Sequence, residues 1–298
     1  MSVTPARTRR IAFIGLGIMG GPMAGHLVKA GHQVTGFDLF PEPVERLAAQ
    51  GGRAAASVAE AVADAEVVIT MVPADPHVRA VVLGDDGVLA HAAPGTLLID
   101  MSSITPGTSL DVAAAAARVG VRTLDAPVSG GEAGAVEAVL SIMVGGAAAD
   151  FVEARPLLTA LGTTVVHVGP TGAGQTVKAA NQLVVAGHLQ ILAEALVFLR
   201  KAGVDLGSAL DVLGGGLAGS TVLTRKRAAM VAHDFTPGFR IDLHHKDMGI
   251  VTETARALGA PLPVGSLVAQ LVQAARANGD GGLDHAALLR GVERLAGQ

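Results

Sequence analysis

The chain has 298 residues, a formal charge of −4 and no Cys, Trp or Tyr. That is room for two domains with a core each. It excludes disulfides, thiolate metal ligands, a tyrosyl proton donor and the basic footprint of a nucleic-acid binder. Arg7, Arg9 and Arg10 ahead of an apolar stretch imitate a signal peptide. Glycines interrupt that stretch, which is needed as a first strand and turn, so mature cytoplasmic sequence is expected. No apolar run is expected to span a membrane, and no metal is expected.

Residues 11–14 read as a strand running into Gly15-Leu16-Gly17-Ile18-Met19-Gly20, and Met23, Leu27 and Val28 then recur at helical spacing. Strand, Gly-rich turn and helix in that order are the context of a dinucleotide fingerprint. Gly15 permits the tight turn, Gly17 lets the backbone approach a pyrophosphate, and Gly20 lets helix and strand pack closely. The helix start offers free N–H groups and a positive dipole end. A second strand, residues 33–37, ends at Asp38, about 20 residues on, where a carboxylate accepts from the adenine ribose. Leu39 and Phe40 follow, not Arg, so a 2′-phosphate would meet a carboxylate and no cation. NAD is favoured and NADP remains possible.

Residues 43–50 read as a short helix stopped by Gly51-Gly52. Ser57-Val58-Ala59-Glu60 fits a capping box, starting a helix to about Ala63. The run Val67-Val68-Ile69-Thr70-Met71 suits a strand covered on both faces, closed by Val72-Pro73. A helix over 77–82 and a strand over 97–100 follow. Thr105-Pro106 looks like an N-cap with Pro at the first helical position. The strand 121–124 leads into Asp125-Ala126-Pro127-Val128-Ser129-Gly130-Gly131, and strands 141–144 and 164–168 complete the set. The alternation implies a Rossmann-type, doubly wound, mainly parallel sheet. After Gly169-Pro170 one helical run extends from 175 to about 201, with Val177, Ala180, Val184, Gly187, Ile191, Ala195 and Phe198 at helical spacing. Everything beyond is helix. The expected domains are a dinucleotide-binding domain over 1–170 and an all-helical substrate and oligomerisation domain over 171–298, opened by the long helix.

On the long helix Lys178, Asn181 and Gln182 are three and four residues apart and share a face, with Val177 and Ala180 packing elsewhere. On spacing alone a solvated face with an ordinary Lys is the plainer reading. His167 in an apolar strand reads as a satisfied, partly buried residue, and His244 or His245 could face a cleft.

These stretches together resemble the β-hydroxyacid dehydrogenase family over nearly the whole chain. The resemblance rests on Phe13-Ile14-Gly15-Leu16-Gly17-Ile18-Met19-Gly20 with Pro22-Met23, on the 125–131 stretch, on Gly172-Ala173-Gly174-Gln175-Thr176-Val177-Lys178-Ala179-Ala180-Asn181, and on Lys246-Asp247. It implies that Lys178 is the catalytic lysine and that Asn181 helps hold the substrate. It implies too that the Ser129-Gly130-Gly131 loop binds the substrate carboxylate and that Lys246 reaches the cofactor. Met71, Val72, Pro73 and Ser103 would line the cofactor cleft. Residues 214–221 and 237–244 resemble the tartronate semialdehyde reductase branch, whereas Asp38-Leu39-Phe40 resembles the NAD-using hydroxyisobutyrate enzymes. Three positions depart from the family pattern: His26 stands for Asn, Ala138-Val139 for Gly-Thr, and Gln182 for a second Asn.

The implied function is hydride transfer between a nicotinamide and a small semialdehyde or β-hydroxyacid, with tartronate semialdehyde first and 3-hydroxyisobutyrate second. With no Tyr, a Lys or His must stabilise the developing oxyanion and supply its proton. A non-catalytic NAD-binding sensor is the reading from another class, and retention of Lys178 and Asn181 argues against it. The apolar second domain points to a homo-oligomer, dimer or tetramer.

Overall fold

The computed structural model describes residues 7–297. Among these, strands β1 (Arg10–Ile14), β2 (Gln33–Phe37), β3 (Arg53–Ala54), β4 (Val67–Thr70), β5 (Leu97–Asp100), β6 (Arg122–Asp125), β7 (Val128–Ser129), β8 (Leu140–Gly146) and β9 (Gly162–Gly169) form one sheet. The order is β3-β2-β1-β4-β5-β6-β8-β7, with β9 on β8. Pairing is parallel from β3 through β6 and between β8 and β9, and antiparallel where β8 meets β6 and β7. This is the doubly wound, mainly parallel sheet the alternation predicted. Cβ atoms alternate along a strand, so Ile11 and Phe13 join Met23, Leu27 and Ile99 on one face. Ala12 and Ile14 join Val68, Leu98 and Val112 on the other. Burial on both faces is why β4 and β5 read as unbroken apolar runs.

Local signals hold where side chains cap. Ser57 Oγ accepts from Glu60 N at 3.1 Å, and the Glu60 carboxylate reaches back to Ala56 N at 2.8 Å. Thr105 Oγ1 accepts from Thr108 N at 3.2 Å and Pro106 opens helix Pro106–Arg118. The helix expected over 77–82 is Asp75–Val78 followed by a wider turn, Arg79–Leu83. Three helices carry no clear sequence signal: Val88–His91, Gly131–Val136, headed by two glycines, and Ala148–Thr159, which contains Pro156.

The chain forms two compact units, one up to Lys178 and one from Ala179 onward. The second holds the later turns of the long helix Ala173–Lys201, followed by Leu206–Gly215, Thr221–Ala232, Ile241–Leu258, Pro263–Ala275 and Leu288–Leu295, with no named strand among the described residues. Its core takes Ala186, Leu189, Leu192, Ala193, Leu196 and Val197 from the long helix. The apolar stripe noticed in the sequence is the other one: Val184, Ile191 and Phe198 are 53%, 60% and 73% exposed, and Val177 and Ala180 are exposed too. By length and composition alone the long helix would be apolar enough to cross a membrane. One face is occupied by the unit's core, and Gln190 and Glu194 pair along it at 2.9 Å, as in the core helix of a folded domain.

Ala138 has φ 55°, in the left-handed region, where the family pattern has glycine. A side chain there costs roughly 1–2 kcal/mol, partly offset by the ~0.5–1 kcal/mol entropic penalty of glycine. Ala138→Gly is expected to stabilise the fold by about 0.5–1 kcal/mol, read as a higher urea midpoint at unchanged slope.

Candidate functional site

The glycine turn is built from opposed constraints. Gly15 has φ 92°, and its N–H donates to the Phe37 carbonyl at 2.9 Å. A Cβ on Gly15 would strike the Met71 carbonyl, and one on Gly20 would strike the Gly15 carbonyl. A Cβ on Gly17 would stand in open space, so its absence leaves the outer side of the turn clear for a phosphate to come against backbone. Leu16 is buried in the core, Met19 packs beside it, and Ile18 is exposed; these residues offer the turn their backbone. Asp38 closes the turn from β2: Oδ2 accepts from Leu16 N at 2.7 Å and Oδ1 from Phe40 N at 3.0 Å. Each oxygen keeps a lone pair for a ribose hydroxyl. Beside it lies a cavity of about 280 Å³ lined by Phe37, Asp38, Leu39, Pro41, Val44, Glu45, Ala55 and Ala56. The lining holds two carboxylates and no cation, which suits a free 2′-hydroxyl and opposes a 2′-phosphate. The residues present fit a nicotinamide dinucleotide. Met71 and Val72 are half-buried and Pro73 is exposed, and Val72 N donates to Ser102 Oγ at 3.0 Å. Ser103, also half-buried, follows Ser102.

Ligands of open parallel sheets bind at the carboxyl ends of the strands, and here those ends carry a polar row that the sequence did not single out. Thr70, Asp100 and Asp125 are register partners across β4, β5 and β6. Asp100 Oδ1 accepts from Thr70 Oγ1 at 2.7 Å and from Ser102 N at 3.2 Å. Its Oδ2 and Ser109 Oγ are buried with no hydrogen-bond partner among the described residues. Both residues line a cavity of about 10 Å³ together with Asp125 and Thr171. Burial pushes the Asp100 carboxyl up to about 6, against the hydrogen bonds of Ser102 and Thr70, and the neighbouring Asp125 adds to the rise. Burial also raises Asp125, countered by N–H groups of the long helix. Asp125 Oδ1 accepts from Gly172 N at 2.7 Å and Oδ2 from Gln175 N at 2.9 Å. The Gln175 side chain accepts from Ile104 N at 3.2 Å and donates to the Ser102 carbonyl at 2.8 Å. One turn on, Lys178 is only 8% exposed. The solvated lysine that spacing favoured is therefore replaced by a buried one.

The loop of Ser129, Gly130 and Gly131 follows β7, with Ser129 opposite Ser141 on β8. Gly130 and Gly131 have φ 141° and 64°, backbone that favours glycine. Helix Gly131–Val136 is fixed at its end by His26, whose Nε2 lies 3.1 Å from the Ala135 carbonyl and 2.9 Å from that of Val136. The departure at position 26 is thus a tether for this loop.

In the second unit Asn181 Nδ2 donates to Gln182 Oε1 at 2.8 Å, Gln182 Nε2 donates to the Asp247 carboxylate, and Lys246 Nζ lies 3.0 Å from Asp247 Oδ1. Asn181 and Lys246 are therefore joined through Gln182 and Asp247, which the expected site did not include; their adjacency to Asn181 and Lys246 was the available signal. His244 is fully buried, 3.1 Å from His285 Nδ1 through its own Nδ1 and 3.4 Å from the Gln182 carbonyl through Nε2. Burial, then His244 and Lys226, push His285 down to about 3. His244 is a packed core partner, and Phe239 packs edge-on against its ring and tilted against that of His285. His167 is satisfied as expected, with Nε2 2.8 Å from the Gly146 carbonyl and its ring stacked on Phe151. Among the described residues no group of three metal-ligating side chains forms.

A doubly wound sheet with this turn, a ribose-side carboxylate and a buried lysine beyond the strand ends defines a nicotinamide-dependent oxidoreductase. Residues 10–169 match the family model of the NAD binding domain of 6-phosphogluconate dehydrogenase, and residues 172–292 that described as NAD-binding of NADP-dependent 3-hydroxyisobutyrate dehydrogenase. The chain is 41% identical to 2-hydroxy-3-oxopropionate reductase of Escherichia coli over 96% of its own length and 98% of that protein's. It is 42% identical to 3-hydroxyisobutyrate dehydrogenase of Pseudomonas aeruginosa over 88% and 90%. A solved structure of Mycobacterium tuberculosis 3-hydroxyisobutyrate dehydrogenase with L-serine superposes with a TM-score of 0.88, at 38% identity, over 96% of this chain and 99% of that one. The chain belongs to the β-hydroxyacid dehydrogenase family of nicotinamide-dependent oxidoreductases.

The raised Asp100 carboxyl has a stability consequence. A group whose folded pKa lies above its unfolded value stabilises the fold below about pH 4, and that contribution is lost as pH rises through about 6. Asp100→Asn removes the titration. Relative to the unmodified protein, its stability should rise between pH 4 and pH 8 by on the order of 2 kcal/mol, read from urea midpoints across that range. An unchanged difference at all pH values would show that Asp100 does not titrate with folding.

Proposed function

We propose that the chain reduces 2-hydroxy-3-oxopropionate to glycerate with NADH, Lys178 acting on the reacting oxygen. Named relatives support the class of substrate: 2-hydroxy-3-oxopropionate, 3-hydroxyisobutyrate, L-serine and 2-(hydroxymethyl)glutarate share a propanoate core that carries a substituent at C2 and an alcohol or aldehyde at C3. Residues 214–221 and 237–244 favour the first. The second reading, oxidation of 3-hydroxyisobutyrate, is favoured by Asp38 with the two exposed apolar residues that follow it.

The observation that carries the proposal is Lys178, buried one turn beyond the main-chain groups that Asp125 holds. A nicotinamide dinucleotide held by this unit would supply the hydride for C3 of the aldehyde. Lys178 faces the developing oxyanion, stabilises it with its charge and gives up a proton to it. The loop of Ser129, Gly130 and Gly131 binds the substrate carboxylate, and Asn181 hydrogen-bonds the substrate, so that the carbonyl is held in one orientation. Gly15, Leu16, Gly17, Ile18, Met19 and Gly20 would hold the pyrophosphate, Asp38 the adenine ribose, and Met71, Val72, Pro73, Ser103 and Lys246 would contact the rest of the cofactor. Gln182 and Asp247 hold Asn181 and Lys246 in place.

In this reading residues 1–170 bind the dinucleotide and residues 171–298 form the substrate and oligomerisation domain of a cytoplasmic enzyme. A second copy of the chain covers the exposed Val184, Ile191 and Phe198 stripe, giving a dimer or tetramer.

The test is a panel of 2-hydroxy-3-oxopropionate, methylmalonate semialdehyde, 3-hydroxyisobutyrate and L-serine with each cofactor. The highest kcat/KM is expected for 2-hydroxy-3-oxopropionate with NADH, and NADPH should be poorer. Lys178→Ala should lower kcat by roughly 10²–10⁴-fold, the worth of a general acid, with NADH affinity by fluorescence titration little changed. Near-full activity in that variant contradicts the role of Lys178; tight NADH binding without turnover of any substrate favours a sensor.

A further inference from the structure

We propose that Asp125 is a positioning residue for the reaction: by holding the Gly172 and Gln175 N–H groups it fixes the first turn of the long helix and, through it, Lys178. This rests on the reading of Lys178 as the group that acts on the substrate oxygen.

The geometry leaves that turn little play. The two carboxylate oxygens each take a different main-chain donor, at 2.7 and 2.9 Å, so a rotation of the turn breaks one bond or the other. Contact there is backbone against backbone. A Cβ on Gly174 would lie 2.5 Å from the Met143 carbonyl and 2.7 Å from Asp125 Oδ2, and one on Gly145 would lie 2.5 Å from Asp125 Oδ1. Glycine at both positions is what allows the carboxylate to be enclosed by the helix start and β8.

Gln175 supplies a second hold on the same turn. Its amide bridges the Ile104 N–H and the Ser102 carbonyl, while Ser102 Oγ takes the Val72 N–H. The chain of bonds thus runs from the start of the Lys178 helix to the 71–73 segment after β4. Beyond capping the helix start, Gln175 adds an amide bridge toward the segment expected beside the cofactor. A misplacement of about 1 Å at a reacting group can cost on the order of 10²-fold in rate, which is the effect such a clamp prevents.

Asp125→Asn keeps the shape of the side chain but turns an NH₂ toward one of the two N–H groups, so one bond is lost and the turn loosens. Gln175→Met removes the amide bridge and leaves Asp125 intact. The experiment measures single-turnover reduction of 2-hydroxy-3-oxopropionate, steady-state KM and NADH affinity for Asp125→Asn, Gln175→Met, Lys178→Ala and each double variant with Lys178→Ala. Each single clamp variant is expected to lower the rate about 10–100-fold, with NADH affinity changed less than about 2-fold. In the Lys178→Ala background neither should lower the rate further, because the group being positioned is gone. Equal fold-losses with and without Lys178 would overturn the positioning role, as would a rate within about 2-fold of the unmodified enzyme in either clamp variant. If Asp125→Asn fails to fold by circular dichroism, Gln175→Met decides the same cycle. Full activity of Lys178→Ala alone would instead overturn the reading of Lys178, which separates the two failures.

Discussion

A buried carboxylate holding two backbone N–H groups is the interaction on which the first unit depends. Asp125 ends β6, and what it holds is the first turn of the helix that carries Lys178. Carboxylates are seldom buried without partners, and this one is satisfied by the unpaired donors that every helix start possesses. The strand therefore gains an acceptor for its helix, and the helix gains a fixed origin. Asp100, its register partner on β5, shows the cost of the same design. Burial raises both carboxyls, and Asp100, with one oxygen lacking a hydrogen-bond partner among the described residues, is pushed up to about 6, the charge of Asp125 adding a smaller share.

The glycine turn obeys the same logic of enclosure at the other end of the unit. Gly15 and Gly20 are glycines because carbonyl groups occupy the space of a side chain, and Gly17 is one because nothing does. Asp38 then serves two masters, tying Leu16 and Phe40 by their N–H groups while keeping lone pairs toward the adjacent cavity. The cation-free lining of that cavity, with Glu45 as a second carboxylate, states the cofactor preference more fully than Asp38 alone.

Much of the fold was legible in the sequence because it rests on short-range rules. Apolar runs of four or five residues marked the strands, Ser57 and Thr105 marked helix starts by side-chain capping, and the glycine spacing marked the turn. What escaped was whatever depends on partners distant in sequence. The stripe of Val184, Ile191 and Phe198 has the period of a buried face but is exposed, because Ala186, Leu189, Ala193 and Leu196 present a tighter surface to the second unit's core. Lys178 looked solvated because spacing carries no information on burial. Asp100 and Asp125 looked like strand-end residues until register placed them side by side, and Gln182 and Asp247 became part of the site only through hydrogen bonds between segments 65 residues apart. Ala138 and His26, departures from the family pattern, turn out to be a left-handed backbone position and a loop tether.

The central claim is that Lys178 assists direct hydride transfer from the reduced nicotinamide to C3 of a three-carbon semialdehyde. Mass spectrometry of glycerate formed in a single turnover from NADH deuterated at C4 tests it most directly. The account predicts glycerate carrying one deuterium at C3, formed by the unmodified enzyme and roughly 10²–10⁴-fold more slowly by Lys178→Ala. Unlabelled glycerate, or labelled glycerate formed at the same rate by both proteins, would contradict it.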